Sequence, residues 1–292
     1  MTMEVVIPCG LQEALEATLE IPSAVPLAGG TDLMVDLNFD RRRPDAIIDL
    51  TRVPELAGWD RADGAIRLGA GMTYARLVAE VAPELPGLAI AARTVGSPQI
   101  RNRGTVGGNL GTASPAGDAL PPLLAAGAQV ELESATGSRS MPLGAFITGP
   151  KTNALEPSEL ITAVSVPVAT GPQQFSKIGT RNAMVIAVTS FALALHPERH
   201  EVTTGIGSAG PRPLVAADAE SFLAGVLDED GLWDARGPIP QAASVRFGEL
   251  VADAAQPIDD VRGTIRYRRH ALGVLARRTL RWAWDDFANG SG

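Results

Sequence analysis

Between Gly96 and Gly117 the chain runs with six glycines and only Ile100, Val106 and Leu110 as bulky apolar side chains. A loop of that length inside a compact domain is usually functional or flexible. Regular patterns flank it. Leu11 to Glu20 sets Leu11, Ala14, Leu15 and Leu19 among acids, which predicts an amphipathic helix. Ala24–Leu27 is a short strand candidate, Thr31–Leu37 a helix opened by a capping residue, and Ala46–Leu50 an apolar strand. Strand, helix, strand in that order favours a small parallel sheet. Ala65–Leu68 and Gln129–Leu132 read as strands, Thr73–Val81 and Gly87–Thr94 as helices. Leu160–Val166, Gln174–Ile178 and Val185–Leu195 add strands before and after a composition break at Pro167–Pro172, the expected linker. Beyond it come a strand at Glu201–Ile206, a helix at Leu214–Leu223 and the longest helix candidate, Thr264–Phe287. A chain of 292 residues is expected to form two domains.

Composition narrows the function classes. With 45% hydrophobic and 20% charged residues, the chain can bury sizeable cores. No run of 18 apolar residues is present, so no membrane span is expected. Glu4, with no basic region before the first apolar residues, argues against a signal peptide. A net charge of −8 argues against a nucleic-acid partner. The single cysteine, Cys9, excludes internal disulfides and a self-contained iron–sulfur cluster, and suits a cytoplasmic location. His196, His200 and His270 lack metal-site spacing. Of 25 basic residues only Lys151 and Lys177 are lysines, so each merits inspection.

Three glycine motifs compete for a functional reading. Gly205-Ile-Gly-Ser-Ala-Gly210 is a literal GxGxxG after a strand. Pro211 and Pro213 follow at once and delay the helix that a dinucleotide site requires, so it reads as a turn. Ala28-Gly29-Gly30-Thr31-Asp32 lies between a strand and a helix. It is either a plain capped turn or a place where the backbone meets an anion closely. Thr105-Val106-Gly107-Gly108-Asn109 is either a hairpin turn or an anion-binding concavity of successive amides. Asp118, before a helical run, is either a cap or a carboxylate that accepts from a ribose or adenine group.

Order and surroundings give these motifs their weight. Ala28 to Leu33, Gly96 to Gly104, Thr105 to Asn109 running on to Asp118, Pro157-Ser-Glu-Leu-Ile161 and Phe175-Ser-Lys-Ile-Gly-Thr-Arg181 occur as ordered blocks. Gly205 to Pro213 follows them in the second domain. In this respect the chain resembles the FAD-binding medium subunit of molybdenum hydroxylases, the group that includes the carbon monoxide dehydrogenase medium subunit and the xanthine dehydrogenase flavin domain. The resemblance spans roughly residues 4 to 285.

The resemblance implies an α+β chain. A two-subdomain FAD-binding fold of the vanillyl-alcohol-oxidase type (1–170, subdomains about 1–55 and 56–170) would precede a smaller α+β C-terminal domain (173–288). FAD would be held non-covalently. Ala28, Gly29, Gly30, Thr31 and Asp32, with Thr105, Val106, Gly107, Gly108 and Asn109, would hold its pyrophosphate through backbone amides and the Thr and Asn side chains. Asp118 would hold the adenosine end or ribose, Ile161 would pack near the isoalloxazine, and Lys177 would sit near the ring's polar edge. Electrons would arrive from a molybdopterin-binding large subunit through a two-iron-cluster small subunit, and no nucleophile or general base is required on this chain. Val185 stands where the family block usually carries an acid. That departure keeps open a stand-alone flavoenzyme acting on a small molecule. A scaffold with an inactive flavin pocket is the third possibility, opposed by the intact glycine blocks.

Overall fold

The computed structural model describes residues 3–290. The small parallel sheet forms as expected: Glu4–Val6 and Val25–Leu27 flank Ala46–Asp49, both pairings parallel. Ala46, Ile47 and Ile48 are all buried, because a central parallel strand has both faces covered. The helix Leu11–Glu20 turns Ala14 and Leu15 inward against Val53, Leu56 and Leu160. Leu160 begins a strand of the next sheet, so this small cluster is the seam between the two layers.

The second sheet has five antiparallel strands in the spatial order Trp59–Ala62, Ala65–Gly69, Leu160–Pro167, Gln129–Ser134, Gly137–Pro142. Its middle strand, Leu160–Pro167, is the last of the five in sequence. Ile66, Leu68, Val130, Leu132 and Val164 share a core with Leu77, Leu88, Val106, Leu110 and Leu120 from the covering helices. The third sheet is an antiparallel meander of Gln173–Ile178, Thr189–His196 and Glu201–Gly207. Phe191, Leu193 and Leu195 on one face pack with Leu223, Phe247, Leu272 and Trp284 from its own helices, Ala217–Glu229, Gln241–Ala254 and Ile265–Ala288. Phe175 and Ala192 lean instead on Ala91 and Ala125 of the preceding sheet's helices.

Two expectations are corrected. The glycine-rich stretch is not a loop: it contains the helices Pro98–Arg103 and Val106–Thr112. Glycine costs about 1 kcal/mol in a helix interior. Here Thr105 Oγ1 caps the Gly108 amide at 2.9 Å, and burial of Val106 and Leu110 holds the segment in place. The strand expected from Val185 begins only at Thr189. Ahead of it, the Arg181 guanidinium donates to the carbonyls of Ala183 and Met184 and holds the chain in a tight loop. The helix Gln241–Ala254 lies in a stretch for which the sequence pattern predicts no element. Among the described residues no helix is long and apolar enough to cross a membrane.

Candidate cofactor site

A cavity of about 850 Å³ opens between the parallel and five-stranded sheets. That is the size of a cofactor pocket. Ala28 to Asp32, Thr105, Gly107, Gly108, Asn109, Asp118 and Ile161 all line it. Val106 and Lys177 do not: Val106 is in the core, and Lys177 stands behind Asp118.

The turn after Val25–Leu27 supplies donors. Gly29 lies so close to the next layer that a Cβ would sit 2.0 Å from the Arg103 carbonyl oxygen, and Gly30 has φ +73°. No other residue type fits both demands without moving the backbone. The amides of Gly29, Gly30, Thr31 and Asp32 find no protein acceptor among the described residues. Successive unpaired amides at a cavity wall form an anion-binding concavity.

The second glycine block behaves differently, and the expectation about its backbone is corrected. Val106 N donates to Met72 O at 3.0 Å, Gly107 N to Ala70 O at 2.9 Å, and Asn109 N to Thr105 O at 3.1 Å. Gly108 N is taken by the Thr105 cap. Two of these amides dock the helix against Ala70 and Met72 and two close its first turn on Thr105, so all four already have protein acceptors. Gly107 is glycine because a Cβ there would lie 2.5 Å from the Ala70 Cβ.

Asp118 Oδ2 accepts from Lys177 Nζ at 2.6 Å, and each side chain is only 10% exposed. The same ammonium donates to Thr94 O at 3.0 Å and to Val185 O at 3.3 Å. Its three hydrogens therefore have three protein acceptors. The expected place of Lys177 at the ring edge gives way to a buried clamp between the C-terminal domain and the cavity wall. Burial pushes the Asp118 carboxyl above its ordinary range, and the Lys177 charge pulls it back. The Tyr74 hydroxyl is also pushed up, first by burial and then by the Asp118 charge.

Three buried polar atoms beside this cavity have no protein partner: Tyr74 OH, Asn109 Oδ1 and Asp118 Oδ1. Each costs about 1–3 kcal/mol while unsatisfied. Their concentration on residues that line one cavity, together with the unpaired amides of the same lining, fits a polar and anionic cofactor better than an apolar ligand. Nothing in the sequence pattern singles out Tyr74. The scarcity of lysine does single out Lys151, and Lys151 lines the cavity too. The GxGxxG at Gly205 is a packing motif, since a Cβ on Gly205 would meet the Pro121 carbonyl oxygen at 2.0 Å.

A parallel unit and an antiparallel sheet sharing an anion-receptive cavity, followed by a three-stranded domain, define a flavoprotein of the kind found in molybdenum-dependent oxidoreductases. The same architecture occurs in quinoline 2-oxidoreductase from Pseudomonas putida 86, with a TM-score of 0.89 at 24% identity over 99% of each chain. Carbon monoxide dehydrogenase from Hydrogenophaga pseudoflava matches with a TM-score of 0.87 at 26% identity over 98% of each chain. Residues 1–169 match the FAD binding domain in molybdopterin dehydrogenase and residues 174–283 the CO dehydrogenase flavoprotein C-terminal domain, and the chain belongs to this family of FAD-binding oxidoreductase subunits. Among curated relatives it is similar to the glyceraldehyde dehydrogenase medium chain of Sulfolobus acidocaldarius, 32% identical over 93% of this chain and 94% of that one. It is also similar to the 6-hydroxypseudooxynicotine dehydrogenase complex subunit alpha of Paenarthrobacter nicotinovorans, 39% identical over 87% of this chain and 84% of that one.

Proposed function

We propose that this chain is the electron-transfer subunit of a cytoplasmic molybdenum-containing hydroxylase or dehydrogenase. It takes electrons from an iron–sulfur partner subunit, which a molybdopterin-binding subunit feeds, and passes them through non-covalent FAD to an external acceptor. Residues 1–170 form the FAD-binding unit and 173–288 the C-terminal unit. The observation that carries the reading is the cavity wall, which carries four unpaired amides from Gly29 to Asp32 and a cluster of unsatisfied polar atoms. The first turn holds the pyrophosphate, Thr105 and Asn109 support it through their side chains, and Ile161 packs against the ring. Bound FAD supplies the redox chemistry, accepting electrons singly and releasing them in pairs. The chain's own residues bind it, orient it and exclude water. No histidine or cysteine lines the cavity to form a covalent link.

The test is the fate of the flavin when the purified yellow protein is denatured by acid or heat. FAD in the supernatant is the expected result. Flavin that stays with the precipitate rejects non-covalent binding, and flavin mononucleotide in the supernatant rejects the pyrophosphate assignment. A protein that remains colourless after reconstitution with FAD rejects the reading altogether.

A further inference from the structure

The chain's two lysines both reach this site, from different directions and in different states. Lys177 is saturated by three acceptors and neutralised by Asp118. Lys151 lines the cavity and is exposed, and its side chain makes no hydrogen bond or ion pair with the described residues. Its backbone, by contrast, is fixed. It sits in the tight turn between Ile147–Gly149 and Thr152–Asn153, and its amide donates to Ala113 O at 2.9 Å. Its φ is +56°, the left-handed region. A β-carbon there costs about 1–2 kcal/mol that glycine would avoid. Strain of this kind, held by the surrounding structure, points to a use for the side chain.

The position of that use follows from Gly111. Asn153, two residues after Lys151, donates through Nδ2 to Gly111 O at 3.0 Å. A Cβ on Gly111 would lie 3.8 Å from Ile161 Cδ1. Lys151 therefore belongs to the part of the cavity that holds Ile161. The first glycine turn has a different neighbour, Arg103, whose carbonyl abuts Gly29 and which also lines the cavity. Three acids of the lining are engaged: Glu159 pairs with Arg139 at 2.7 Å, Asp118 with Lys177, and Asp32 accepts from Thr112 Oγ1 at 3.3 Å. The fourth, Asp36, belongs to the helix Leu33–Asn38 that follows the first glycine turn. None of these acids pairs with the Lys151 ammonium.

We infer that Lys151 is the residue that offers positive charge to the flavin ring and stabilises the negative charge placed there by reduction, the role the sequence had suggested for Lys177. The inference rests on the FAD reading and specifies the ring end of the same cavity. A tethered cation with an unsaturated donor set can turn toward the ring when charge develops. Lys177 cannot do so without giving up Asp118 or a buried carbonyl.

The experiment is spectroelectrochemical titration of the flavin in the purified full-length chain, with FAD affinity measured alongside. Wild type, Lys151→Met, Lys151→Arg and Lys177→Met are compared. Lys151→Met should retain FAD, while its two-electron reduction equilibrium falls about tenfold, which is ~30 mV. Lys151→Arg should restore most of that shift. An unchanged potential in Lys151→Met, with FAD bound, overturns the inference and leaves the FAD reading standing. Loss of oxidised-FAD affinity at constant potential also overturns it, by moving the contact to the pyrophosphate. A potential that falls in Lys177→Met but not in Lys151→Met returns the role to Lys177. Failure of the wild type to bind FAD rejects the underlying reading instead, and is seen before any variant is compared.

Discussion

Replacing Lys177 by methionine removes the cation from the buried pair with Asp118 while keeping most of the side chain's length. At 2.6 Å and an effective dielectric of about 20, the charges attract by roughly 6 kcal/mol before desolvation is counted. Much of that gain offsets the cost of burying both ions, so the pair's net contribution is small. Breaking it is costly, because a carboxylate is left buried with no countercharge, and Lys177→Met should destabilise the protein by about 3–5 kcal/mol. Asp118→Asn leaves the ammonium two carbonyls and an amide oxygen, and should cost less, about 2 kcal/mol. The double variant buries no charge and should fall within about 1–2 kcal/mol of wild type, giving a coupling of about 4–5 kcal/mol. The pH dependence supplies a second signature. Burial already raises the Asp118 carboxyl, and without Lys177 only the smaller influence of the Thr94 hydroxyl opposes that rise. An acid whose folded-state value is raised adds stability below its ordinary range near 4, and that stability is lost as pH climbs through the raised value. The deficit of Lys177→Met should therefore shrink between about pH 7.5 and pH 4.5, whereas the two variants that lack the carboxyl should show no such recovery. Urea unfolding of the four proteins at both pH values is the assay. Additive single-variant costs with no recovery at low pH would refute the clamp.

Gly29→Ala forces a methyl against the Arg103 carbonyl oxygen and should weaken FAD retention at least tenfold, measured by equilibrium dialysis. Gly205→Ala meets Pro121 as closely, but its effect should be a loss of stability of about 1–3 kcal/mol with FAD affinity per folded molecule unchanged. Tyr74→Phe deletes an unsatisfied buried hydroxyl and should leave the apoprotein as stable as wild type or more so; weaker FAD binding in the same variant would identify that hydroxyl as a cofactor contact. His196 donates through Nε2 to Thr203 Oγ1, which in turn donates to Ala125 O of the FAD-binding half. Burial, aided by Arg199, lowers its proton affinity, so the unfolded chain protonates first and stability should decline as pH falls below about 6.5. That decline should be smaller in His196→Gln, followed by thermal melts across the range.

Periodicity served the sequence reading well where elements are regular. Leu11–Glu20 is helical over the expected residues, the parallel sheet follows from strand, helix, strand, and Thr264–Phe287 overlaps the helix Ile265–Ala288 almost completely. It served poorly where tertiary packing overrides local preference. Val106 to Thr112 is helical despite three glycines, because Val106 and Leu110 are buried and Thr105 caps the first turn. The segment before Thr189 is apolar yet looped: Arg181 holds the carbonyls of Ala183 and Met184, and the Val185 carbonyl accepts from Lys177. Most of the cavity lining was legible through the ordered blocks. Tyr74 was not, since a tyrosine in an amphipathic helix reads as core, and its unsatisfied hydroxyl appears only once the helix is placed.

Glycine motifs record close approach, and the sequence alone does not say what approaches. At Gly29, Gly107 and Gly205 the near neighbour is protein backbone or a core methyl: Arg103, Ala70 and Pro121 respectively. All three are equally constrained, yet only the first lies in a turn whose amides remain unpaired, and only there can a phosphate collect donors. The same distinction separates the lysines. Scarcity marked both, but Lys177 spends its three hydrogens fastening the C-terminal sheet to the cavity wall, and Lys151 keeps its own. The C-terminal domain thus meets the cavity through the wall it braces: Asp118 is held by Lys177, while Phe175 and Ala192 pack on Ala91 and Ala125. If FAD occupies the cavity, a change in that sheet should reach it by shifting Asp118, because the Lys177–Asp118 pair joins the two domains at the cavity wall.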